Sequence, residues 1–564
     1  MLASLALACA LFQSAAASAS QVADVVMEQD AAHLARLLAA HADVNEPQPD
    51  GSTGLHWAAY HGDAHATAAL LGAHANPGLR TDTGMTPLAL ACEAGNSEVT
   101  KLLLNAGADA NQPLASGETP LMMAARTGAV PVLKLLVAHG ARIDVREKLR
   151  GTTALMWAAA SSNTRAVQFL ISKGADVAAR SATIKPGRRP YLAESGRSRI
   201  QEFIRGTGQG GTTVRQDTPE AQQRLAAEIA AARSALAKFP SSDDPKRTDT
   251  QWGGLTPLLF ATRQGDLPTV QALLDGGAAV DQTSEYGWTA LLVATQNRYY
   301  GLGEYLLKRG ANPNIANAGG WSPLYIATDN RNIEGGDYPV RKPDRDHLDF
   351  IKALLAAGAK PNMRMRSSTE TRTVFTHQWL NEEGATPFLR AAQSGDLVLM
   401  KLLLAHGADP AIATDRNVTP LMVASGIGWV EGVTHEWSVQ ETYDTVKFLL
   451  DLGADVNAQD SADERTALMG AAHKGRNDIV GLLVQHGADL SLHDIGSRDS
   501  IHALAGVSWQ AVDYADGLVR VGVQSAIAHP DTAALLRRLM QERGLPLPPE
   551  GRTLASICVT DLCQ

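Results

Sequence analysis

Apolar residues recur at helical spacing along most of this chain, in pairs of short runs. The stretch T86-P-L-A-L-A-C-E-A-G-N-S-E-V-T-K-L-L-L-N-A-G-A-D-A-N111 shows the unit. Its first run, Leu88 to Cys92, has small side chains that let a neighbour approach closely. Its second, Val99 to Leu104, carries V-x-x-L-L on one helical face. The Thr that opens the unit offers a hydroxyl to cap a helix, and the Pro after it is pre-set for the first turn. Gly ends the second helix in the left-handed conformation, as at Gly407 and Gly453, and the Asp/Asn-rich segment beyond is turn chemistry. The pattern predicts two helices and a turn per unit. One such unit buries too little surface to fold alone, so units must stack.

The opening slot recurs at Thr53, Thr86, Thr119, Thr153, Thr256, Thr289, Ser322, Thr386, Thr419, Thr466 and Ser500. From Thr53 to Thr153 the steps are 33, 33 and 34 residues. The G-A element follows at Gly107, Gly140, Gly174, Gly277, Gly310, Gly358, Gly407, Gly453 and Gly487. With its T-P-L or T-A-L openings, paired alanines (Ala124-Ala125, Ala391-Ala392) and G-A-D-x-N closings, the unit resembles the ankyrin repeat. The resemblance covers about 21–180 and 253–545. It implies an all-α ankyrin solenoid of about 11–12 helix-turn-helix repeats in two blocks, with β-turn fingertips, used for binding rather than catalysis. One departure is visible. The family has His after T-P-L, and here only His56 fills that slot; Met122, Met156, Leu259, Leu292, Tyr325, Met422 and Met469 replace it with apolar packing.

The period breaks in three ways. Between Thr153 and Thr256 lie a degenerate repeat near 191–204, the Gly-rich G206-T-G-Q-G-G211, a helix-like run from Thr218 to Phe239 and a polar stretch. Expected boundaries are therefore an N-terminal block at 20–205, a linker with a helix at 206–252, a C-terminal block at 253–545 and a tail at 546–564. Insertions at 331–347, 424–444 and 509–529 fall where the two helices of a repeat join, in alternate repeats. The segment Ala424 to Trp429 matches Leu504 to Trp509 slot for slot. The third break, 363–383, extends a fingertip.

Composition narrows the chemistry. The net charge is −9 with no long basic run, which argues against nucleic acid as a main partner. No stretch is long and apolar enough to span a membrane. No P-loop, G-x-S-x-G or zinc-protease motif occurs, and neither a metal nor a cofactor is expected. Aromatics are only 5% of the chain, yet seven of the nine Trp lie between 252 and 509. Trp288 and Trp321 hold the fingertip slot before an opening Thr or Ser. With Trp379, Trp429, His435, Trp437, Tyr338 and Trp509 they are the candidate partner contacts. Trp429 and Trp509 are expected to pin their loops, with His435 and Trp437 further out. The expected partner is another protein; the alternative is a carbohydrate or small molecule in an aromatic cleft built from the three insertions. An apolar start followed by Ala17-Ser18-Ala19 reads as a signal peptide at 1–19, or else as an apolar first helix. The first reading places the protein in the periplasm or outside the cell. There Cys558 and Cys563 either pair or stay as free thiols.

Overall fold

The computed structural model describes residues 20–184, 252–332, 341–366, 380, 382–429, 434–495, 508–519 and 527–550. Its regular elements are helices, apart from one pair of two-residue strands among the described residues. The chain divides into two compact units, one of residues 20–184 with 252–294 and one of residues 295–550.

Local chemistry sets the helix pairs as the pattern requires. In the repeat of Pro87–Glu93 and Ser97–Asn105, the Thr86 hydroxyl accepts from Ala89 N–H at 3.1 Å, and Pro87 fills the first turn. The same cap recurs at Thr119, Thr153, Thr256, Ser322, Thr386, Thr419 and Thr466. Gly407 and Gly453 both have φ of +86°, a conformation that costs a residue with a Cβ. His56 makes the family's extra bond: its Nδ1 lies 2.8 Å from Thr53 Oγ1 and its Nε2 3.2 Å from Met85 O of the next repeat. At the equivalent slot Met122, Met156, Leu259, Leu292 and Met469 are instead buried in the core.

Repeats are tied to one another by an amide clamp. Asn111 donates to Gly140 O at 2.9 Å and accepts from Arg142 N–H at 2.8 Å, so a single side chain satisfies both groups of the following turn. Asn314, Asn362 and Asn457 do the same to Gly358 and Lys360, Gly407 and Asp409, and Gly487 and Asp489.

In the first unit the helices Ala154–Ala160 and Thr164–Ser172 pack directly on Pro257–Gln264 and Leu267–Asp275. Thr164 and Thr269 hydroxyls meet at 2.8 Å across this joint. The chain leaves and re-enters through the antiparallel pair Thr183↔Gly253 and Ile184↔Trp252. The expected boundary at 206–252 thus does not separate one helical stack from another. Residues 185–251 interrupt a single stack at a fingertip, and the division between compact units falls at 294/295. Replacing 185–251 by Asn-Gly, which closes a two-residue hairpin, should leave the first unit folded and move its melting temperature by less than ~3 °C. Loss of cooperative melting by circular dichroism would show that the excursion carries some of the core.

Candidate functional site

Of the residues singled out in the sequence, Tyr338, Trp379, Cys558 and Cys563 lie outside the described residues. The rest separate into two groups. Trp288, Trp321 and Trp509 occupy one fingertip slot, each closing a ring with a polar residue upstream. Trp288 N–H donates to Ser284 Oγ at 3.1 Å while its carbonyl accepts from Ser284 N–H at 2.9 Å. Trp321 does the same with Asn317, and Trp509 with Asp494.

This overturns two expectations. Trp321 is fully buried (0% exposed), edge-on to Tyr325 at 5.0 Å, so it packs its repeat and presents no ring to a partner. Trp509 precedes its inner helix, Ala511–Ala515, whose N-cap is Gln510, whereas Trp429 follows its own inner helix, Pro420–Ser425. The two segments are therefore not equivalent. The buried Trp509, paired with Asp494, belongs to a fingertip turn rather than to a joint between helices. Trp288 is half-buried.

The second group gathers at the joint after Pro420–Ser425. Gly426 and Gly428 have φ of +127° and +80°. A Cβ on Gly426 would stand 2.6 Å from Gly470 O, so only Gly lets this turn lie on the next inner helix. Trp429, half-buried, meets His473 edge-on at 6.2 Å, with Lys474 Nζ 5.4 Å from its ring centre. Lys474 is itself buried and pairs with Glu436 of the same loop. Burial lowers its ammonium below the usual value, and Glu436 opposes that shift. The loop is thereby stapled to the repeat that follows it.

Trp437 is fastened in the opposite direction, to the two preceding repeats. Its Nε1–H donates to Asn332 Oδ1 at 2.8 Å, and its backbone N–H to Ser394 O at 3.2 Å. The Arg331 guanidinium lies 4.4 Å from its ring centre, and His435 stands edge-on at 5.7 Å. Trp437 still remains 40% exposed, the one exposed Trp among those whose side chains are described. Trp429 and Trp437 thus face different repeats. With Trp509 on a fingertip, the expected aromatic cleft is not assembled from the described residues.

Beneath Trp437 lies a buried ionic layer that the sequence pattern did not single out. Arg390 is fully buried; its Nε donates to Asp329 Oδ1 at 2.8 Å, its Nη1 to Ser394 Oγ at 3.0 Å and its Nη2 to Asn332 O. Arg331 grips Asp396 through Nε at 2.7 Å and Nη2 at 3.3 Å, and Asn332 Nδ2 reaches the same carboxylate at 3.2 Å. A signal is present: Arg390 stands four residues after Thr386, where Leu90, Met123, Phe260, Val293, Ile326 and Val423 stand in other repeats. Trp57 and Trp157 share that slot in the first unit and lie outside the expected contacts. Trp57 supports Tyr60 edge-on at 5.8 Å, and Tyr60 is 60% exposed. Among the described residues no cluster of His, Cys, Asp or Glu is arranged to hold a metal, and no helix is long and apolar enough to cross a membrane.

His473 closes the far side of the joint. It is 3% exposed, and neither ring nitrogen has a hydrogen-bond partner. It lines a cavity of about 10 Å³ with Arg465, Met469 and Tyr514. Burial first, then the neighbouring basic groups His529, Arg465 and Lys474, bring its pKa down to about 4.

Asp329→Ala should cost about 3 kcal/mol in denaturant melts, because it strands a buried guanidinium. Pairing it with Arg390→Met should restore most of that loss; a double variant no better than Asp329→Ala would refute the pairing. For His473, the unfolded imidazole takes its proton near pH ~6.5 and the native one only near 4, so the unfolded state binds more protons between these values. Stability is complete above pH ~6.5 and falls by about 3 kcal/mol as pH drops toward 4. His473→Met should flatten that stretch of the profile of melting temperature against pH.

Comparison with known families accords with this architecture. The model described as "Ankyrin repeats (3 copies)" matches residues 23–113, 107–181, 225–317 and 434–506, and that for "Ankyrin repeat" matches 383–415. The palmitoyltransferase akr1 of Neurospora crassa is 27% identical over 149 residues, spanning 26% of this chain and 19% of that protein. The human transient receptor potential cation channel subfamily A member 1 is 28% identical over 148 residues, 22% of this chain and 13% of that protein. The chain thus spans less than a fifth of either relative. A putative ankyrin repeat protein of Acanthamoeba polyphaga mimivirus is 31% identical over 126 residues, 22% of this chain and 72% of its own length. The crystal structure of the human ASB11 ankyrin repeat domain aligns with 52% of this chain and 99% of its own, at 21% identity and a TM-score of 0.36. With family models covering more than half of its residues, the chain belongs to the ankyrin repeat family, whose arrays are protein-interaction modules.

Proposed function

We propose that the second unit recognises another protein through the Trp437 ledge at its helix joints, and that the protein works outside the cytoplasm as a scaffold or protective binder. The observation that carries the recognition reading is the state of the Trp437 side chain. An exposed indole normally loses rotamer freedom on binding, at a cost of about 0.5–1.5 kcal/mol per side chain. Here Asn332, Arg331 and His435 fix it in advance, so that cost falls on folding. Aromatic anchors of this kind dominate protein interfaces. Export is supported by the apolar start and the Ala17-Ser18-Ala19 pattern.

Trp437→Ala should weaken capture of the partner from native extract by about tenfold or more while lowering stability by only about 1 kcal/mol. Equal capture by both forms, read by quantitative mass spectrometry, would end the proposal. N-terminal sequencing of the protein from fractionated cells tests export in the same sample: a mature chain starting near Ser20 in the periplasmic or secreted fraction supports it.

A further inference from the structure

We propose that the fingertip at 146–150 is a docking point for an anionic phospholipid surface. The 34-residue step between Thr119 and Thr153 has its extra residue in this turn. In the three preceding fingertips a Gly N–H closes onto the carbonyl three residues back: Gly51 on Gln48, Gly84 on Thr81 and Gly117 on Leu114, at 2.8–2.9 Å. Here Gly151 closes onto Glu147, four residues back, at 3.1 Å. The longer turn throws out Leu149, 76% exposed, the most exposed large hydrophobic side chain among the described residues.

The frame around Leu149 is built. Glu147 is turned inward, where its carboxylate accepts from Leu149 N–H at 2.5 Å, Arg150 N–H at 2.8 Å, Thr152 N–H at 3.0 Å and Thr152 Oγ1 at 2.9 Å. Arg146 donates to the carbonyls of Gly151 and Arg180, and Lys148 to that of Ala115. Arg146, Lys148 and Arg150 are all exposed, and none pairs with a carboxylate among the described residues. The segment therefore carries three cations and one inward-facing carboxylate around a projecting aliphatic chain.

Leu149 projects from the tip of the turn. A protein would need an acidic socket shaped to it, whereas a headgroup layer yields to one inserted side chain while its phosphates meet the cations. The chain as a whole is acidic, at −9, so the contact is local and oriented.

The test is co-sedimentation of the full chain with phosphatidylcholine vesicles containing phosphatidylglycerol, against phosphatidylcholine alone. The expected result is binding to the anionic vesicles only, weakened by salt. Leu149→Asp and the double variant Lys148→Glu/Arg150→Glu should each reduce it by about tenfold or more. Both variants should melt as the parent chain does, since the altered side chains are exposed. Trp437→Ala should bind vesicles unchanged, which separates this contact from the protein-binding ledge. No pelleting with either vesicle, or pelleting that ignores both tip variants, overturns the proposal. Loss of a captured protein in Leu149→Asp without vesicle binding also overturns it, and assigns the tip to a protein contact.

Discussion

The asparagine amide that bridges one turn to the next, at Asn111, Asn314, Asn362 and Asn457, is the interaction on which the stacking of these repeats depends. Helices of seven to ten residues, such as Pro387–Gln393 and His347–Ala356, are below the length at which an isolated helix holds in water. They persist only if each repeat supplies what its neighbour lacks. The clamp supplies polar satisfaction: Asn362 fills a donor and an acceptor of the following turn, each bond contributing about 1 kcal/mol. The alanine-lined inner helices supply close apolar contact. Because the apolar contact recurs along the array and the clamp at several of its turns, added sequence is tolerated only where neither is touched, at fingertips and at the joints between helices.

That restriction explains where the polar chemistry lies. The joints after Pro323–Arg331 and Pro420–Ser425 carry two of the insertions. They also bury Arg390 and Asp329, Arg331 and Asp396, and Lys474 and Glu436. Buried pairs of this kind add little net stability, because desolvation offsets the attraction. What they do here is positional. Arg331 spends its fork on Asp396 and its face on Trp437, so the ionic layer fixes the ring above it. The same layer makes the region sensitive to loss of either partner.

The period, the Thr caps, the left-handed glycines and the replacement of His by apolar residues are all legible in the sequence, because each is a local rule repeated many times. What is not legible depends on register or on neighbours. Trp509 reads as a twin of Trp429 because both follow a Gly-containing run, but the true N-cap is Gln510, and an insertion in the fingertip shifts the count. Trp288 and Trp321 share a slot and even a hydrogen-bond ring. Yet one is half-buried and the other fully covered, since exposure is set by the residues around them rather than by the slot. Arg390 is readable as a charge in an apolar column, but its partners Asp329 and Asn332 lie in another repeat, and only the stacking brings them to it.

The contrast between Trp321 and Trp437 states what makes a candidate contact in a stacked array. Trp321 gains its environment by burial, and the hydrophobic term favours that position strongly. Trp437 leaves much of its ring in water and is held by directional contacts to Asn332, Ser394 and Arg331 instead. Such contacts add little to folding, so an exposed ring that recruits three of them is poorly explained by stability. It is well explained by a surface that must be in one conformation before anything arrives. Tyr60 offers the useful comparison: it is more exposed, but its described contacts are only the rings of Trp57 and His61, which leave its hydroxyl unconstrained. Fixation, more than exposure, therefore singles out Trp437.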